Sequence, residues 1–376
     1  MTNITQNDIT TELQKQVKQA ISNKTPLYIQ GGNSKRFYGQ AVDENTDTQT
    51  LDVSSHTGII NYDPTELCAT VQAGTKLSDL KALLAKNNQM LAFEPPHYPN
   101  GINNQDTATI GGAIATGIAG PRRAYTGSVR DAILGVKIIN GDGEVASFGG
   151  EVMKNVAGYD LSRMMVRSQG TLGVILSVSV RVIPKPEHNM TLTFDASQTE
   201  ALRYFQELRK TNLPITATAW LNDQASIRVS ASKQVLKSCK NKIKGDEVTD
   251  AREFWQGLRD HTHDFFNKNR PLWRFSLPPA SPSVIPLDDA QLLEWDGAQR
   301  WIHSNTPTNI IQDIAKSHNG YATLFNSNSQ IETHTNLTKM DIFPTLEPAL
   351  FTLHQSLKKQ MDPQGIFNPN RIYRGL

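Results

Sequence analysis

Apolar residues recur at four-residue steps near the start of the chain. Ile9, Leu13, Val17 and Ile21 lie in a polar background, which predicts a helix over residues 8–22. Leu77, Leu80, Leu83 and Leu84 repeat the pattern and predict an amphipathic helix over 76–86. Short apolar runs at 27–30, 51–53 and 67–71 read as strands, separated by turns at Asp63-Pro64 and Gly74. Residues 94–108 are rich in Pro, Asn and Gly and read as loop. "AILGVKII" and "EVASF" flank Asn140-Gly141-Asp142-Gly143, a hairpin signature. The stretch "VAGYDLSRMMVRSQGTLGVILSVSVRVIPKP" reads as a helix, a glycine-rich turn and a long alternating strand.

Pro184-Lys185-Pro186 ends that strand, and the texture changes after it. Glycine thins out, "TLTFDA" is followed by a helical stretch at 198–211, and strands follow at 215–221 and 225–231. The C-terminal part is a helix and then a polar, proline-containing tail. The expected organisation is α+β, with one domain over 1–186 and a smaller α+β domain over 187–376. No internal repeat or low-complexity tract interrupts it.

Charge and cysteine content narrow the function classes. Lys and Arg total 38 against 36 acidic residues among 376, with no basic stripe, so nucleic acid is not an expected partner. No apolar run approaches the roughly 20 residues of a membrane span. The first residues carry no basic region followed by an apolar core, so the expected compartment is the cytosol. A peripheral membrane contact stays open. The two cysteines, Cys68 and Cys239, are too few for an ordinary iron–sulfur cluster and are expected to be buried thiols.

Candidate chemistry begins with "PLYIQGGNSKRFYG", a strand that turns through Gly31-Gly32 into Asn33, Ser34, Lys35 and Arg36. The chain has no G-x-x-x-x-G-K-[ST] loop and no G-x-G-x-x-G fingerprint, which disfavours a nucleoside-triphosphate site and a nicotinamide dehydrogenase of the usual kind. A glycine pair still lets successive backbone N–H groups converge on an anion, with a hydroxyl from Ser34 and a charge from Lys35. A plain turn is the alternative. The segment Thr109-Ile110-Gly111-Gly112-Ala113 to Ala115-Thr116-Gly117 is almost free of bulky side chains, and Gly170-Thr171-Leu172-Gly173-Val174 repeats the theme before a strand. Read as three small-residue loops, these segments suit one long ligand anchored at its phosphates and laid along backbone.

Together, "YIQGGNSKRF", "EPPH…TIGGAIATGIAGPRR…GSVRDAILGVKII", "KNVAGYDLSRMMVRSQGTLGVI" and "MDPQGIFNPNRIY" resemble the PCMH-type FAD-binding domain of the vanillyl-alcohol oxidase superfamily. Within it, the order and wording resemble the FAD-binding subunits of bacterial glycolate oxidases, from about residue 10 to 374. The resemblance implies a PCMH-type domain of two α/β subdomains, then a reduced α+β domain whose C-terminal tail returns to the flavin. It places Gly31, Gly32, Asn33, Ser34 and Lys35 at the pyrophosphate. Thr109, Gly111, Gly112, Thr116 and Gly117 fall in a second flavin-contact segment, with Ser128 in the loop that follows. Gly170, Gly173 and Val174 fall beside the adenine half, and Asn368 is the tail asparagine that folds back near the flavin. "WRFSLP" and "LLEWDGAQRW" share the resemblance but carry no assignable chemistry; packed tryptophans on strands are expected there.

Two departures from the superfamily shape the functional expectation. Some members attach FAD through a histidine where this chain has Ser34, so binding is expected to be non-covalent. Its hydroxy-acid dehydrogenases carry a histidine-rich metal-binding motif in the second domain, and none occurs here. His261-Thr262-His263-Asp264 is the nearest cluster and reads as an exposed helix face. Oxidising a 2-hydroxy acid also needs a base and a cation for the carboxylate. Arg122, Arg123, Lys154, Arg163 and His97 are the candidates, while Asp131 and Asp160 read as helix caps. No catalytic residue is assigned. The resemblance implies one subunit of a glycolate oxidase complex that converts glycolate to glyoxylate, with a sister FAD-binding subunit and an iron–sulfur subunit as partners. It would lie in the cytoplasm or peripherally at the inner membrane through the complex. The alternatives are a non-catalytic assembly subunit on an FAD-type scaffold and a stand-alone flavin dehydrogenase of another small 2-hydroxy acid.

Overall fold

The computed structural model describes residues 6–40, 47–98, 106–150, 160–284, 290–325 and 342–376. The fold is α+β and divides into two compact units. Met1–Ile118, Ser128–Pro184 and Thr345–Leu376 form the first; Ala119–Gly127 and Lys185–Pro344 form the second.

In the first unit, α1 (Thr10–Asn23) buries Leu13, Val17 and Ala20, the stripe its periodicity predicts. Strand β1 (Leu27–Gln30) pairs in parallel with β2 (Gln49–Asp52). A separate antiparallel sheet has the order β3-β4-β8-β6-β7, from β3 (Ile59–Asp63), β4 (Cys68–Gln72), β6 (Ile133–Ile139), β7 (Val145–Gly149) and β8 (Val174–Pro184). β5 (Gln89–Leu91) pairs with the end of β8. β8 is central and buried on both faces over most of its length, so its inner serines need partners. Ser179 finds one in Thr70, 2.9 Å away across the sheet.

The amphipathic helix α2 (Leu77–Ala85) buries Leu77, Leu80 and Leu84. The small-residue segment expected as loop is instead a helix, α3 (Ile110–Thr116). Thr109 caps it by accepting from the Gly112 N–H at 3.2 Å, and the Thr116 hydroxyl donates to the Gly112 carbonyl at 2.8 Å. Its glycines serve close approach rather than chain reversal.

The chain then enters the second unit for α4 (Arg123–Thr126) and returns with α5 (Val129–Ala132). Ser128 and Asp131 form the capping box of α5, with the Ser128 N–H 2.7 Å from the Asp131 carboxylate. The helix expected in "VAGYDLSRMM" lies partly outside the described residues; one turn, α6 (Leu161–Met164), is described and is capped by Asp160.

The second unit is built on an eight-stranded sheet of order β12-β9-β11-β10-β14-β15-β13-β16. Its strands are β9 (His188–Asp195), β10 (Ile215–Leu221), β11 (Gln224–Ala231), β12 (Asp246–Glu247), β13 (Leu272–Ser276), β14 (Gln291–Glu294), β15 (Gln299–His303) and β16 (Tyr321–Leu324). Every neighbouring pair is antiparallel. Helices α7 (Gln198–Leu208) and α8 (Lys233–Lys240) add Leu202, Phe205 and Leu236 to the core over Leu192, Ile227 and Val229. A second cluster packs α10 (Thr308–Ser317) on Trp273 and Phe275.

α9 (Arg252–Asp260) ends at His261, which takes a left-handed conformation (φ 56°). The expectation of an exposed face fails for His261. It is buried, stacked on Phe266 at 3.9 Å, with Trp301 and Phe325 around it. The first unit resumes at Thr345 with α11 (Pro348–Met361) and the tail.

Candidate functional site

A cleft in the first unit gathers the small-residue segments. About 780 Å3 of space, part of it open to solvent, lies between β1 and the turn after it, α3, the turn at Gly170 and the C-terminal tail. Of the residues expected to meet a flavin, the structure brings Gly31, Gly32, Asn33, Ser34, Lys35, Thr109, Gly111, Gly112, Thr116, Gly170, Gly173 and Asn368 to the walls. Three lie elsewhere. Gly117 is the C-cap of α3, Ser128 spends its hydroxyl on Asp131 at 2.8 Å, and Val174 is buried in β8.

The turn after β1 leaves no room for side chains. A Cβ on Gly32 would lie 1.4 Å from the Thr107 carbonyl oxygen, and the Thr107 hydroxyl donates to the Gly32 carbonyl at 2.5 Å. Asn33 is left-handed (φ 57°) and its side-chain oxygen accepts from the Tyr28 hydroxyl at 3.1 Å. Ser34 and Lys35 are both buried; the ammonium lies 3.4 Å from the Ser34 hydroxyl and 5.8 Å from the centre of the Tyr98 ring.

The tail supplies the opposite wall. Asn368 accepts from the Ile29 N–H at 2.7 Å and donates to the Gln169 carbonyl at 2.6 Å, so one amide bridges β1 and the turn at Gly170. Gly170 is left-handed (φ 74°), and a Cβ there would lie 2.7 Å from the Asn368 nitrogen. The Arg371 guanidinium donates to the carbonyls of Arg36, Tyr38 and Gln40, and burial pushes its pKa down.

Sequence reasoning assigned no role to Arg36, Arg371, Tyr28 or Gln169, which also line the cleft. Arg36 and Arg371 stood inside the quoted motifs, and their charge was the available signal. Lys35, Arg36 and Arg371 give the walls three cations, and among the described residues no Asp or Glu joins them. Such a lining attracts an anion, because opposite charges a few ångströms apart gain several kcal/mol where water is excluded, at about 4 kcal/mol for an effective dielectric of 20. The buried Gln169 side-chain oxygen has no hydrogen-bond partner in the structure. Bare backbone, three cations and room for an extended molecule fit a dinucleotide with a charged middle.

The described candidates for substrate chemistry lie outside the lining. His97 contacts Asp106 at 3.0 Å through Nδ1 and Lys81 through Nε2. Burial works to raise the Asp106 pKa, but the hydrogen bond and charge of His97, with hydrogen bonds from the Ala108 N–H and Ser78, together hold it below the usual value. Arg163 pairs with Asp160 at 3.0 Å. In the second unit Arg122 is buried, and Arg123 stacks over Trp295 at 4.4 Å. Lys154 lies outside the described residues. Cys68 and Cys239 are buried. Among the described residues, no group of three His, Cys, Asp or Glu could hold a metal ion, and no helix is long and apolar enough to cross a membrane.

Known proteins agree with this geometry. The model of the family described as "FAD binding domain" matches residues 8–149. The structure of p-cresol methylhydroxylase with substrate bound superposes with a TM-score of 0.69 at 14% identity, covering 98% of this chain and 88% of that one. Fold and site thus define an FAD-binding oxidoreductase subunit with the PCMH-type fold, and FAD is its cofactor. Identity is far higher with glycolate oxidase subunit GlcE of Escherichia coli (strain K12): 44% over 369 residues, covering 98% of this chain and 99% of the relative. The chain belongs to the GlcE family of glycolate oxidase subunits. Glycolate oxidase subunit GlcD of Bacillus subtilis (strain 168) is 36% identical over 135 residues, covering 36% of this chain and 27% of that one.

Proposed function

We propose that this chain is the FAD-binding subunit of a multi-subunit glycolate oxidase, in which glycolate becomes glyoxylate and electrons leave through an iron–sulfur partner. The observation that carries the reading is the end-to-end similarity to GlcE, 44% identical with almost no part of either chain left over. FAD, when bound, supplies the acceptor for two electrons from the 2-hydroxy acid. The protein's own part is to hold it. Gly31 and Gly32 present backbone to the phosphates, Lys35 and Arg371 offset their charge, and α3 and Gly170 let the rest lie flat. Ser34 offers no imidazole for a flavin bond, so attachment is expected to be non-covalent.

Substrate turnover is assigned to the sister FAD-binding subunit. Among the described residues, the cleft lining contains cations but no imidazole and no carboxylate to take the hydroxyl proton. Any membrane association would come through the complex.

The test is to mix the purified, FAD-loaded chain with glycolate without oxygen and follow the flavin band. Slow or absent bleaching that becomes rapid on adding the sister subunit is the expected result. Bleaching by the isolated chain as fast as by the whole complex would place the chemistry here instead. A chain that assembles with its partners but carries no flavin would support a purely structural subunit.

A further inference from the structure

Lys358 does not line the cleft, yet it is the one residue of α11 buried among those described there. Its ammonium donates to the Thr171 carbonyl at 2.8 Å, the Phe367 carbonyl at 2.6 Å and the Asp362 carboxylate at 2.7 Å. Those three bonds use all three of its hydrogens. Asp362 in turn accepts from the N–H groups of Ile366 (3.1 Å) and Phe367 (2.8 Å). One ion pair therefore folds the turn after α11 and fastens it to the residue after Gly170.

The turn delivers two wall residues. Just beyond it, the Leu27 N–H donates to the Ile366 carbonyl at 2.7 Å, and the Asn368 N–H donates back to the Leu27 carbonyl at 3.0 Å. The tail thus lies alongside β1. Asn368 then holds β1 and Gln169, and Arg371 holds the carbonyls at 36, 38 and 40. Both sides of the cleft are tied to this one segment, and Lys358 ties the segment to its helix. Without the ammonium, two carbonyls and a buried carboxylate lose their donor, the costliest way to break such a network.

We propose that Lys358 is a positioning residue for the cofactor site, and that docking of tail residues 362–371 and occupancy by FAD strengthen each other. The inference rests on the reading that this cleft holds FAD. Coupling between two binding events is reciprocal, so FAD must protect the tail as much as the docked tail retains FAD.

The test compares Lys358→Met with Leu84→Ala, which opens a void under α2 in the same unit without touching the tail. Two quantities are read on folded, FAD-loaded full-length protein: the rate of flavin release, from the rise in flavin fluorescence, and hydrogen exchange of amides 366–371 with and without FAD. Release from Lys358→Met is expected to be at least tenfold faster than from Leu84→Ala once both are corrected for their urea midpoints. Exchange at 366–371 should rise only in the Lys358 variant, and FAD should slow it in the wild type. Equal release and equal exchange in the two variants would overturn the proposal. If Lys358→Met does not fold, Asp362→Asn, which keeps one of the turn's two accepting oxygens and removes the ion pair's negative charge, is expected to show the same changes; wild-type behaviour there would overturn the proposal equally. A wild-type chain that takes up no FAD would sink the cofactor reading itself, before any variant is compared.

Discussion

Gly32 has no space for a methyl group, since a Cβ there would overlap the Thr107 carbonyl oxygen. The backbone of this turn is therefore committed to Gly at 32, and the proposed phosphate contacts would depend on it. Gly32→Glu adds both bulk and a negative charge among Lys35, Arg36 and Arg371. It is expected to cut FAD affinity by more than about 100-fold, some 2.7 kcal/mol, and to give colourless protein, read by absorbance of the purified chain. Acid precipitation of the wild type should leave all flavin in the supernatant, because Ser34 cannot retain it covalently. Most of the wall was legible from single residues: glycine pairs, a hydroxyl and a lysine in one short stretch. The contacts of Arg371 were not, because its partners lie more than 330 positions away in sequence. His261 misled for a related reason. Its sequence neighbours are polar, while its real surroundings are Phe266, Trp301 and Phe325.

Elements with strong periodicity were legible within about three residues. The strand expected at 215–221 is β10, and the helix expected at 198–211 runs over Gln198–Leu208. The latter starts at a reciprocal cap: Ser197 accepts from the Glu200 N–H, while the Glu200 carboxylate takes the Ser197 N–H at 2.9 Å. Ser197→Ala removes one half of that exchange and should cost about 1 kcal/mol, read as a lower urea midpoint with unchanged slope. α3 was illegible as a helix because its wall-forming residues are small. Helical spacing is recognised from bulky apolar positions, and here the buried face is Gly, Ala and Thr beside only Ile110 and Ile114. The "LLEWDGAQRW" motif gave strands and packed tryptophans, as expected for β14 and β15. It could not reveal that the Asp296 carboxylate accepts from Tyr125, Thr218 and Arg209.

Over the whole molecule, burial depresses the pKa of histidines in both units: His56 in the first, and His261 and His263 in the second. For His56 and His263, neighbouring Asp8 and Asp264 oppose the shift without reversing it. Above pH 6.5 these imidazoles are neutral whether folded or not, and contribute no pH dependence. Below it the unfolded chain binds protons that the folded chain refuses, so stability falls as pH drops, by up to about 1.4 kcal/mol per pH unit for a fully excluded group such as His261. His261→Asn tolerates the left-handed backbone and should flatten the dependence of the urea midpoint between pH 6.5 and 5; an unchanged slope would show that His261 is protonated when folded. The pairing of Leu27 with Ile366 and Asn368 has a consequence for biogenesis. The ribosome makes the first wall of the cleft hundreds of residues before the last, and domains ordinarily begin to fold while the rest is still being translated. Here the edge of β1 gains its tail partners only after residues 366–368 have been made. On the reading that this cleft holds FAD, the cofactor site is complete only once the tail has docked, and a chain cut short before Asn368 is expected to retain flavin poorly.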